Sequence, residues 1–315
     1  MAHPSIDFAI FRILIYPPQP GEFSLHHFRY SACSFNNFRL KLSFAHQEAL
    51  HHQPVKRINF QRIVMSDFRK KCISYERVIG TFAAIPHPVA IEVTAATGLD
   101  FLCIDAEHSQ IDRELIENLV RASDAHHIPA LVRVPSHASE WIASALDAGA
   151  AGVLVPRVST SAQAKAAVMA TRYPPVGERG VGPGRASAYG YRIPDYLKAA
   201  NESLVLAIQI ETAEGLANVE EIAAVEGVDI IFIGPGDLSV SIDAMGPAGA
   251  EKLNAAITTI TNAAREAGKA VGIFRPSADD VGKWAEAGIS FFMLASDTMF
   301  LGASLAAGVA AARNA

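Results

Sequence analysis

Residues 205–237 read VLAIQIETAEGLANVEEIAAVEGVDIIFIGPGD. Two short apolar runs, VLAIQI at 205–210 and IIFI at 230–233, flank a stretch whose Ala, Glu and Leu content suits a helix. Neither run alternates apolar with charged residues. An uninterrupted apolar strand is one covered on both faces, which is the situation of a parallel strand between helices. The same unit repeats in both directions along the chain. Further strands are predicted at 78–84 (VIGTFAA), 101–104 (FLCI), 130–133 (ALVR), 152–155 (GVLV), 270–273 (AVGI) and 291–294 (FFML), with Ala-rich helical stretches between them. Eight such strands alternating with helices predict an α/β fold, a (β/α)₈ TIM barrel over residues 70–315. An open, doubly wound sheet is the rival. The loop GVGPG at 180–184 gives that rival no support, because it follows a helix and a proline pair and not a strand.

The first 64 residues are of another composition. They hold seven Lys/Arg against three Asp/Glu, and six of the eleven histidines, without helical or strand periodicity. The segment is expected to be a largely disordered extension, and Met65, directly before the regular SDFRKKCISYERVIGTF, is the expected natural start; an organellar transit peptide fits its aromatics and prolines poorly. Over the whole chain, half the residues are apolar, 19% are charged and the net charge is -5. That balance argues for a globular protein and against nucleic acid or an anionic membrane as partner. Cys33, Cys72 and Cys103 are too few and scattered for a disulfide framework, so a cytoplasmic location is expected. No apolar run reaches the roughly 18 residues of a membrane span.

In a TIM barrel the chemistry sits where the strands end. Asp105, Ala106, Glu107 and His108 follow the second run, Arg133 ends the third, Gln209 and Glu211 stand at the end of the fifth, and Gly234, Pro235, Gly236 and Asp237 follow the sixth. Glu211 and Asp237 could share one hard divalent cation, Mg²⁺ or Mn²⁺, or could simply cap helices, Asp237 as an N-cap. Arg133 either meets a substrate carboxylate with its planar fork or pairs with a neighbouring strand-end carboxylate. His108 suits proton abstraction beside a carbonyl, although a loop histidine is commonly only solvated. Asp147, near the end of the helix ASEWIASALDAG, could orient an imidazole or be a carboxylate that merely opposes the helix dipole. No lysine ends a strand, which disfavours a Schiff-base route to a pyruvate enolate and leaves the metal route.

The segments FLCIDAEHSQID, PALVRVP, LDAGAAGVLVPRV, ATRYPPVGERGVGPGRASAYG, IQIET, VEGVDIIFIGPGDLS and GISFFMLASDT, spanning about residues 76–305, together resemble the HpcH/HpaI aldolases. These are metal-dependent class II pyruvate aldolases related to citrate lyase beta subunits. The resemblance implies a carbon–carbon lyase that cleaves or forms 4-hydroxy-2-oxo acids, to and from pyruvate and an aldehyde. It implies His108 as the proton-transfer residue with Asp147 as its dyad partner, and Arg133 on the pyruvate carboxylate and enolate. It also implies Glu211 and Asp237 as ligands of Mg²⁺, Mn²⁺ or Co²⁺, with Gln209, Asp237 and the amides of Gly234 and Gly236 at the substrate, and a homo-oligomer, expected as a hexamer. Ala106 replaces the usual glycine, and Ser109 and Gln110 also depart from the pattern, which leaves the aldehyde open. A CoA-thioester lyase of the citrate lyase beta or malyl-CoA type is the alternative, and a non-catalytic binding barrel is disfavoured by the intact residue set.

Overall fold

The structure is a computed structural model and describes residues 64–314. Of the stretch expected to lie outside the barrel, residues 1–63 fall outside the described residues. The strands are β1 (Val78–Ala83), β2 (Phe101–Asp105), β3 (Ala130–Arg133), β4 (Gly152–Val155), β5 (Val205–Ile210), β6 (Ile230–Ile233), β7 (Ala270–Arg275) and β8 (Phe291–Ser296). All neighbours are parallel, and β8 returns to β1, so the sheet closes as a barrel in chain order. The predicted strands all form, and the open-sheet rival is excluded by the β1–β8 pairing.

Before the first strand lies α1 (Val64–Ile73). Around the barrel follow α2 (Pro88–Ala95), α3 (Arg113–Ala125), α4 (Ser139–Ala148), α5 (Ser161–Thr171) and α6 (Ile193–Ser203). They are succeeded by α7 (Ala213–Ala217), α8 (Val219–Ala223), α9 (Pro235–Ser241), α10 (Gly246–Glu266), α11 (Val281–Glu286) and α12 (Asp297–Asn314). The strands are buried almost end to end, as their unbroken apolar runs require.

The lower barrel is filled by aromatic rings. Phe101 and Phe291 open β2 and β8 with ring centroids 4.3 Å apart, Phe232 meets Phe291 edge-on at 6.2 Å, and Phe68 of α1 lies 5.6 Å from Phe101. Glycines make the room: a Cβ on Gly80 would fall 2.5 Å from Phe101 Cζ, and one on Gly272 2.7 Å from Phe232 Cδ2. This layer seals the end where the strands begin and leaves the opposite end open for polar groups.

Most of the longer outer helices bury one face. The exception is α12, in which every residue after Asp297 is exposed, Phe300, Leu301 and Leu305 included. Its first residue is fixed, because the Asp297 carboxylate accepts the N–H groups of Ala84 and Ile85, each at 3.0 Å.

Candidate active site

At the C-terminal ends of the strands a cavity of about 350 Å³ opens. Its lining brings together His108, Arg133, Gln209, Gly234, Gly236 and Asp237 of the predicted set, with Asp105 and the rings of Phe82 and Phe274. Glu211, one residue beyond β5, adjoins them, since a Cβ on Gly234 would meet Gln209 Nε2 and Glu211 Oε2, both at 2.7 Å. The absence of a side chain at Gly234 is what lets β5 and the turn after β6 present their polar groups together. Gly234→Ala is therefore expected to weaken divalent-metal binding by about tenfold or more while the barrel still folds, as isothermal titration calorimetry beside circular dichroism would show.

Glu211 is buried; its Oε1 accepts the N–H of Arg157 at 2.7 Å, and its Oε2 accepts from Gln209 Nε2. Burial pushes its carboxyl up to about 7, and the carboxylates of Glu107 and Asp237 push the same way against the Arg157 and Gln209 donors. Gln209 Oε1 is buried and has no hydrogen-bond partner. A buried acid without a countercharge, an orphaned carbonyl oxygen and a second carboxylate beside them make a set of hard oxygen donors lacking a cation. This fits a divalent metal held by Glu211 and Asp237. Among the described residues no three His, Cys, Asp or Glu side chains gather as a metal group. Asp237 is the third residue of α9, whose N-cap position is Gly234, so the helix-capping alternative is not realised.

Arg133 is buried and already engaged. Its Nε donates to Asp105 Oδ1 at 2.9 Å and its Nη2 to Asp105 Oδ2 at 2.7 Å, while Glu107 Oε2 stands 3.4 Å from Nε. The Phe82 ring stacks against the guanidinium, 4.1 Å from Cζ to the centroid. Of the two partners open to Arg133, the strand-end carboxylate is the one present.

His108 follows β2 in a turn whose N–H groups, at Glu107 and His108, donate to Asp105 Oδ1 at 3.2 Å each. Its side chain is 61% exposed, and Nε2 lies 3.7 Å from Glu107 Oε2. Burial raises the Glu107 carboxyl, opposed by Arg133 and His108. Asp105 and Glu107, which the sequence places directly at the end of an apolar run without assigning them a role, are thus parts of the site.

The structure corrects one expectation and leaves another unmet within the chain. The Gly234 N–H donates to Ile210 O at 3.1 Å, so it is spent within the barrel and not available to a substrate; Gly236, in the first turn of α9, has no intrahelical acceptor for its own N–H. Asp147 does not meet His108 within the chain. It lies in the last turn of α4, which runs back toward the start of β4 and so to the opposite end of the barrel, and its Oδ1 accepts from Arg179 Nη2 at 2.6 Å. Arg179 is itself buried and stacked on Tyr173 and Tyr196, whereas the Asp147 side chain is 33% exposed.

The chain is similar to known proteins over most of the barrel. The chain is 38% identical over 231 residues to a hydroxypyruvate/pyruvate aldolase of Paraburkholderia phytofirmans, covering 71% of this chain and 88% of that protein. It is 39% identical over 238 residues to a 4-hydroxy-2-oxovalerate aldolase of Rhodococcus jostii, covering 75% and 92%. A solved HpcH/HpaI aldolase/citrate lyase family protein from Burkholderia cenocepacia superposes with a TM-score of 0.75 at 34% identity, covering 79% of this chain and 99% of that one. The family model of the HpcH/HpaI aldolase/citrate lyase group matches residues 78–303, from the first residue of β1 into α12. With the barrel and its strand-end residues inside that span, the chain belongs to the HpcH/HpaI aldolase/citrate lyase family.

Proposed function

We propose that this chain is a class II pyruvate aldolase, a carbon–carbon lyase that cleaves 4-hydroxy-2-oxo acids to pyruvate and an aldehyde and runs the reverse addition. The observation that carries the reading is that Asp237, His108, Arg133 and Gln209, whose Oε1 has no partner, line one cavity, and that the buried carboxyl of Glu211 adjoins it and feels the Asp237 charge. Relatives named as aldolases of hydroxypyruvate/pyruvate and of 4-hydroxy-2-oxovalerate support it.

Glu211 and Asp237 would hold Mg²⁺, Mn²⁺ or Co²⁺, which supplies Lewis-acid stabilisation of negative charge on the substrate keto oxygen. The protein's own groups do the rest. In cleavage, His108 takes the C4 hydroxyl proton, the C3–C4 electron pair moves toward the keto carbon, and the aldehyde departs. Arg133 places N–H donors beside the oxygen that gains charge, and the proton is returned to C3 to complete pyruvate. The rings of Phe82 and Phe274, in contact with each other, form an apolar part of the cavity wall. In the reverse direction the same groups remove a C3 proton and protonate the new alkoxide.

The test is pyruvate release from a panel of 4-hydroxy-2-oxo acids after EDTA treatment and again with each metal restored. Release that vanishes with EDTA and returns with metal is expected; silence with metal bound would shift the reading to the CoA-thioester lyase. The same titrations check the acid at Glu211. A carboxyl that titrates at about 7 must lose its proton to ligate, so metal affinity should fall as pH drops below 7 and level off above it. Proton release on metal binding, measured calorimetrically in buffers of different ionisation enthalpy, reports this directly.

The reading extends to a homo-oligomer, expected as a hexamer. The exposed apolar side chains of α12, among them Met299, Phe300, Leu301, Leu305 and Val309, support such packing. Any contact of Asp147 with His108 would have to be made between chains of that assembly. No described helix is long and apolar enough to cross a membrane, and the expected site of action is the cytoplasm.

A further inference from the structure

We infer that Asp105 is the positioning residue for Arg133, and that it takes up the side-on edge of the guanidinium so that only the Nη1–Nη2 end is left for the substrate. The inference rests on the aldolase reading and deepens it.

A guanidinium has five N–H donors, and its two-pronged edges are what match a carboxylate. The Nε–Nη2 edge of Arg133 is filled by Asp105 at 2.9 and 2.7 Å. The ring of Phe82, 4.1 Å from Cζ, covers one face of the guanidinium, so the group cannot swing out of this pairing without losing both contacts. What remains for a ligand in the cavity is the Nη1 pair and the second Nη2 hydrogen, which together make up the end-on edge of the guanidinium. The side-on Nε–Nη2 geometry is closed to the substrate acid. The paired carboxylate also cancels most of the charge that would otherwise bind a standing carboxylate indiscriminately, leaving directed hydrogen-bond donors, which act most strongly where charge develops during the reaction.

Asp105 has a second hold on the site. Its Oδ1 accepts the N–H groups of Glu107 and His108 at 3.2 Å each, so the same carboxylate that orients the arginine also shapes the turn that carries the base. The pairing is built into the barrel, because Asp105 and Arg133 are register partners at the ends of β2 and β3. Two neighbouring strands therefore deliver donor and base in a fixed relation.

Asp105→Glu keeps the charge and the pairing type but adds a methylene, which displaces the guanidinium. With a 4-hydroxy-2-oxo acid that the wild-type chain cleaves, kcat is expected to fall at least about tenfold, KM to change by less than about threefold, and metal affinity and melting temperature to stay unchanged. In an Arg133→Lys background, where there is no fork to orient, the same substitution should cost less than about threefold. Full kcat in Asp105→Glu, a loss carried by KM, or an equal loss in both backgrounds would overturn the inference. If Asp105→Glu does not fold, Asp105→Asn, which keeps the side-chain size but offers one acceptor where two stood, serves the same cycle with the same expected coupling. Inactivity of the wild-type chain on the whole panel would refute the aldolase reading instead, so the two failures are distinct.

Discussion

Replacing His108 by alanine is expected to lower turnover by roughly 10²–10⁴-fold and to leave metal affinity and the melting temperature where they are. The side chain is 61% exposed, and its Nε2 lies 3.7 Å from the Glu107 carboxylate, beyond hydrogen-bond length, so the fold asks little of it. Among the described residues it is the one imidazole lining the cavity, which it shares with Asp237, Gln209 and Arg133. An exposed group at the mouth with reach into the cavity can meet a substrate hydroxyl and exchange its proton with solvent between turnovers. Steady-state cleavage and exchange of the pyruvate C3 hydrogens in deuterated water should fall together, because both need the same proton carrier. Loss of metal binding would make His108 a ligand. Retained turnover with metal bound would pass the role to Glu107, whose buried carboxyl is already raised and which stands next to both His108 and Arg133.

The difference between what the sequence disclosed and what it concealed follows from which interactions are local. IIFI at 230–233 and VLAIQI at 205–210 are legible as strands because a parallel strand buried on both faces needs an unbroken apolar run. That Asp237, Gln209, Arg133 and His108 line the cavity and Glu211 adjoins it is legible because each stands at the end of such a run, where the strands open onto the mouth. For Arg133 the sequence leaves two partners open, a substrate carboxylate or a neighbouring strand-end carboxylate, and does not say which residue the second would be. That depends on Asp105 facing Arg133 in the β2–β3 register, a relation between residues 28 apart in the chain. The spent N–H of Gly234 is likewise a contact with Ile210 on the neighbouring strand. Asp147 is a different matter: a helix that precedes a strand ends beside that strand's start, so its position before β4 already placed it at the sealed end, away from His108. The exposure of α12 has no local signature, because an Ala-rich apolar helix looks the same whether its own barrel or another surface covers it.

At that sealed end the largest loss of stability is expected from Asp229→Asn, about 3–5 kcal/mol, with kinetic constants of the folded fraction unchanged. Asp229 stands just before β6 and is buried. Its Oδ1 accepts from Arg69 Nε at 3.2 Å and Nη2 at 2.7 Å, and its Oδ2 from Arg172 Nη2 and the Leu206 N–H, both at 2.9 Å. Arg172, buried as well, also donates to the carbonyls of Leu204 and Gly227, at 2.8 and 3.2 Å. One carboxylate thereby joins α1, the end of α5 and the starts of β5 and β6. An amide in its place keeps the shape but leaves two guanidinium groups without a countercharge, and one of them has no route to water. Arg69 is 20% exposed on its side chain and can rehydrate, so Arg69→Met should cost only about 1 kcal/mol, since Asp229 keeps Arg172. In a barrel of this size the Asp229→Asn loss corresponds to a melting temperature lower by roughly 10 °C, measurable by calorimetry on the metal-loaded protein. Equal small shifts in the two variants would mean that the cluster is solvated in solution and that the aromatic layer of Phe68, Phe101 and Phe291 holds the sealed end alone.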